Sequence, residues 1–70
     1  MIDEVLFMEV RVFRKFLRRF QMKAKDAYEL FDAYDIWGYI EEGYDILHMS
    51  GDECVLDDIQ QIFRKNGVLV

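Results

Sequence analysis

The chain has no proline and a single cysteine among its 70 residues. Without proline, no residue inside a helix lacks its amide donor or forces a kink. One cysteine cannot form a disulfide within the chain, and a lone thiol suits a reducing compartment. Histidine also occurs once, and no ligand cluster with metal-site spacing is visible. Residues 26–63 contain no Lys or Arg. No apolar run approaches the ~18 residues that a membrane span requires. Asp3, Glu4 and Glu9 stand where a signal peptide has its basic start and uncharged core. These absences lead to the expectation of a cytoplasmic protein with no cofactor and no metal.

The charge that is present is divided. Residues 1–25 carry seven bases against three acids, and residues 26–63 carry eleven acids. With Arg64 and Lys65 the net charge is −5. Such asymmetry concerns partners and association rates rather than fold. A chain this short forms one domain, residues 1–70, and buries only about 60% of the surface its unfolded form exposes. With disulfides and metal excluded, stability must come from an apolar core or from a second subunit. The composition permits either, at 53% apolar and 16% aromatic residues.

The apolar residues repeat with helical period. Over residues 3–21, Leu6, Val10, Phe13, Leu17 and Phe20 form one row, and Val5, Met8, Val12 and Phe16 a second. Together they cover roughly 200° of the helix, more than one small neighbour covers. This width predicts a helix sandwiched between its own bundle and a second copy, a homodimer through helix one. A second helix is expected over Ala24–Tyr34, with Ala27, Leu30, Phe31 and Tyr34 inward. A third is expected over Ile36–Met49, capped by Asp35. Gly38 and Gly43 fall inside it and suggest a close crossing with another backbone. After the turn Ser50-Gly51-Asp52, residues 53–56 read as briefly extended. Asp57 and Gln60 have the spacing of a capping box for a fourth helix, ended by Gly67. The fold class is therefore all-α, a compact four-helix domain, its apolar tail Val68-Leu69-Val70 packed.

Several groups invite a functional reading, each with a plainer alternative. Arg11, Arg14, Lys15 and Arg18 share a basic face that suits phosphates. The plainer account is a solvated face or ion pairs with the acidic helices. A sequence pI near 4.6 is far from that of a typical DNA-binding domain. His48, with Asp45 three residues before it, lacks a nucleophile placed by sequence, so no catalytic residue is assigned. Cys54 is expected to be a small buried apolar residue. The acids at 52, 53, 57 and 58 lack the spacing of a calcium loop. Phe13, Phe16, Phe20, Trp37, Tyr44, Asp45 and His48 are the candidates for a protein-interaction surface, because aromatic side chains dominate binding hot spots.

The segments Ala27-Tyr28-Glu29-Leu30-Phe31, Tyr39-Ile40, Tyr44-Asp45-Ile46-Leu47-His48, Gly51 and Val55-Leu56-Asp57-Asp58-Ile59 together resemble a family of short bacterial proteins of unknown function. Its pattern runs E-L-F, Y-I, Y-D-x-L-H, G and D-I. The resemblance covers residues 22–63. The family usually has Ser where this chain has Lys23 and an acid where it has Gly38, departures that weaken helix starts. The family it resembles has no assigned enzymatic activity. Some members are associated with genes for ADP-ribosyltransferase-like toxins, which implies an antitoxin-like or regulatory role beside a protein partner. The expected function is thus a non-catalytic protein-interaction module. The alternative is a nucleic-acid-associated regulator using the basic face of helix one.

Overall fold

Asp3 starts the first helix by accepting the otherwise unpaired amides of Val5 at 3.0 Å and Leu6 at 3.1 Å. The structure, a computed structural model, describes residues 3–70. Helix α1 spans Glu4–Phe20, with Arg18 and Arg19 at its negative carboxyl end. It stops at Gln21, whose φ of 50° lets the Met22 amide reach back to the Leu17 carbonyl at 3.2 Å.

Helix α2 spans Ala24–Ala33 and has no side-chain cap, because Lys23 offers no acceptor. Asp35 separates it from α3, Ile36–Ser50. Its φ is 50°, and its carboxylate accepts the Gly38 amide at 3.2 Å. Gly51 then turns the chain at φ 88° and ψ 149°. Helix α4 begins at once and spans Asp52–Lys65. It ends in a Schellman motif, with the Val68 amide on the Phe63 carbonyl and the Gly67 amide on that of Arg64. Gly67 takes the positive φ of 80° that this motif favours in glycine.

All four helices lie within 35 × 21 × 20 Å. Helix α1 runs antiparallel to α3, with Phe13 beside Trp37 towards one end and Glu4 beside Tyr44 at the other. It runs parallel to α4, from Arg11 at Asp52 to Arg19 at Asp57. Met8, Val12, Phe16, Ala27, Phe31, Ile36, Ile40, Leu47, Val55, Leu56, Ile59 and Phe63 form the core. Phe31 is its aromatic centre, with Trp37, Phe16 and Phe13 at centroid distances of 5.0, 5.1 and 5.2 Å. These edge-on and tilted geometries are the favourable ones for aromatic pairs.

The all-α, four-helix expectation holds, and four details differ. Residues 53–56 are helical, not extended. Asp57 lies inside α4, so it caps nothing, and Gly51 precedes the first turn instead. The nearest neighbours of Gly38 and Gly43 are side chains of their own segment rather than a crossing backbone. A Cβ at Gly38 would strike the Asp35 carboxylate, and one at Gly43 would press on the Leu47 side chain, both near neighbours in sequence. In the tail, Val68 and Val70 pack against the core, while Leu69 is exposed.

Candidate functional site

Helix α1 has two faces with different work. Met8, Val12 and Phe16 point into the core and are fully buried. On the opposite side Leu6, Phe7 and Val10 are 57%, 62% and 47% exposed. With Asp3, Arg11, Arg14, Lys15 and Arg18 they line a surface groove. At 3.6 residues per turn, Asp3, Phe7, Val10, Arg14 and Arg18 fall within about 80° of one another. The stripe is acidic at its start, apolar in the middle and basic at its end.

The basic residues of this face have different fates. Asp52, in the first turn of α4, takes Arg11 Nε at 2.8 Å and Lys15 Nζ at 2.7 Å. The Arg11 bond, helped by Lys15 and opposed by partial burial, holds the Asp52 carboxyl at about 2, below its usual 3.8. Arg19 bridges Glu53 and Asp57 and lies over the Phe20 ring. Among the described residues Arg14 and Arg18 are exposed and make no ion pair. Beside the core face, Glu9 is 8% exposed. Burial first, then repulsion from Glu41 and Asp3, raises its carboxyl above the usual value.

The aromatic candidates separate likewise. Phe16 is buried in its own core, which rules it out as a contact residue for a folded partner. Phe13, Phe20 and Trp37 are partly buried and packed against that core. Tyr44 stacks edge-on against His48 at 4.8 Å, and its hydroxyl donates to Glu4 at 3.2 Å. Loss of hydration first, then the bond to Glu4, raises the phenol's pKa. Asp45 and His48 are exposed, and Asp45 makes no hydrogen bond to the histidine. Cys54 is exposed on α4, contrary to the buried place expected of it. No group of three metal-ligating side chains occurs among the described residues. No helix among them is long and apolar enough to cross a membrane.

Sequence reasoning missed Phe7. It belongs to neither apolar row of α1, but it lies one and two turns from Arg11 and Arg14 on the outer side. An apolar residue standing apart from the core rows was the available signal.

The family model described as "Protein of unknown function (DUF3791)" matches residues 7–66. The chain belongs to this family. The match takes in most of α1, all of α2, α3 and α4, and the apolar residues Phe7 and Val10 of the outer stripe. No curated protein and no solved structure matches the chain.

Proposed function

We propose that this member of the family is a small non-catalytic protein-interaction module, an antitoxin-like or regulatory partner, and that it binds through the outer face of α1. The observation that carries the reading is the exposure of Leu6, Phe7 and Val10 together in one groove. A monomer leaves single apolar residues in water routinely, but a patch rimmed by charge marks a contact surface. Each such side chain gains roughly 1.5–3 kcal/mol on full burial. These three start about half exposed, so about 1 kcal/mol each is available to binding.

The form of the groove favours a protein over a small molecule. Among the described residues every lining side chain comes from α1 or its cap, so none of them forms a second wall around a ligand. Small-molecule sites bury most of their ligand in a concave pocket. An open helical stripe instead suits another helix laid along it.

The nucleic-acid reading keeps Arg14 and Arg18 as free cations. Arg11, Lys15 and Arg19 already serve acids of α4. Two arginines on a chain of net charge −5 form a poor phosphate track.

The test is capture of a native complex from cell extract by the wild type and by Phe7→Glu, with helicity checked by circular dichroism. Loss of the captured partner from a folded variant is the expected result. Equal capture by both contradicts the proposal. Binding to duplex or single-stranded nucleic acid at low salt, abolished by Arg14→Glu with Arg18→Glu, would establish the alternative.

A further inference from the structure

Resting on the reading of the outer α1 face as a protein-binding surface, we propose that its occupant is a second copy of this chain. The two α1 helices pack antiparallel about a two-fold axis beside Val10. The charge order along the stripe carries the argument. From start to end it runs Asp3, then Leu6, Phe7 and Val10, then Arg14 and Arg18.

A stripe with that order complements itself in one sense only. With the two-fold axis between Val10 and Arg11, Asp3 of one copy stands opposite Arg18 of the other, and Phe7 opposite Arg14. The two-fold repeats both relations, so the interface closes on itself and does not propagate. The arginine stem and guanidinium both suit the exposed face of a phenylalanine ring. The helix dipoles oppose each other, which is the favourable arrangement. Parallel pairing would set Arg14 on Arg14 and Arg18 on Arg18.

Arg14 and Arg18 are available for this role because the other bases of the face are engaged. Asp52 holds Arg11 and Lys15, and Glu53 and Asp57 hold Arg19. From Asp3 to Arg18 the contact runs about 22 Å along the helix. One helix pair of that length makes a small interface, so exchange between monomer and dimer is expected at working concentrations.

The test combines light scattering with position-specific cross-linking. Val10→Cys in a Cys54→Ser background is treated with a short bis-maleimide and compared with Gln61→Cys, an exposed site on α4. The proposal expects concentration-dependent dimer and cross-linking at least ~10-fold faster at position 10, the ratio of a 1.4 kcal/mol difference in local encounter. Arg14→Glu with Arg18→Glu should weaken self-association by a similar factor at low salt, and less at high salt. Asp3→Asn should weaken it in the same direction while keeping the helix cap. Equal cross-linking at the two positions, or association indifferent to charge reversal, overturns the antiparallel pairing. A monomer at every concentration that still captures another protein through Phe7 overturns self-pairing and leaves the binding reading intact. A monomer whose captured proteins ignore Phe7→Glu ends both.

Discussion

Arg11 grips Asp52 with two hydrogen bonds, Nε to Oδ2 at 2.8 Å and Nη2 to Oδ1 at 3.1 Å. This fork ties the middle of α1 to the first turn of α4, 41 residues later. Lys15 adds a second cation to the same carboxylate. Much of the base on α1 is thus consumed in holding the fold. The stripe beyond it runs along the outer side of α1 from Asp3 to Arg18.

Asp52→Asn should cost stability at neutral pH, and the loss should shrink in acid. The folded carboxyl titrates at about 2 against an ordinary 3.8. A depressed carboxyl stabilises the fold above its unfolded value, and that contribution is lost as pH falls from about 4 to about 2. Arg11 and Lys15 expose 39% and 43% of their side chains, so solvent screens the pair. About 1 kcal/mol at pH 7 is the resulting expectation. Urea denaturation of both proteins at pH 7 and pH 2 measures it. A constant difference at the two pH values would be inconsistent with the ion pair.

Glu9→Gln should have the opposite sign. Its carboxyl is raised by burial and by Glu41 and Asp3, so the folded chain holds this proton more tightly than the unfolded one. Ionised Glu9 therefore works against folding as pH rises above its usual 4.5. The variant should be more stable than wild type at pH 7, with the gap closing as the pH falls below that value. Denaturation midpoints across pH 3 to 7 check this.

Much of the fold was legible because its signals are local. Asp35 as a cap and Gly67 as a stop act through their own side chain or backbone angle, and α3 and α4 begin and end as those residues dictate. The core row of α2 followed from period alone. The start of α4 did not, because Asp57 and Gln60 imitate a cap. Asp52 is placed instead by bases 37 and 41 residues earlier. The surface was less legible for the same reason. Only the packing of α2, α3 and α4 decides which apolar residues of α1 are covered, and it left Phe7 outside and drew Phe16 in.

Gly51→Ala should destabilise by about 1–3 kcal/mol although a Cβ there meets nothing within 4 Å. The cost is conformational. With φ 88° and ψ 149°, the turn into α4 occupies a region that residues with a side chain avoid. Chemical denaturation gives the value, and a variant as stable as wild type would refute the turn geometry.

Phe16→Ala and Phe7→Ala should diverge. The first empties a fully buried site and should cost about 3–5 kcal/mol, a large share of what a domain this small commands. The second removes a ring already 62% exposed and should leave monomer stability within about 0.5 kcal/mol. Thermal melts of dilute samples separate the two. Comparable losses would contradict the division of α1 into an inner and an outer face.

The most direct measurement of that division is a dilution series followed by amide chemical shifts. If the outer face of α1 is the docking surface and a second copy occupies it, concentration-dependent shifts should gather at Leu6, Phe7, Val10, Arg14 and Arg18. Shifts centred on Ile46 and Met49, the exposed apolar pair of α3, or a spectrum unchanged at every concentration, would contradict it.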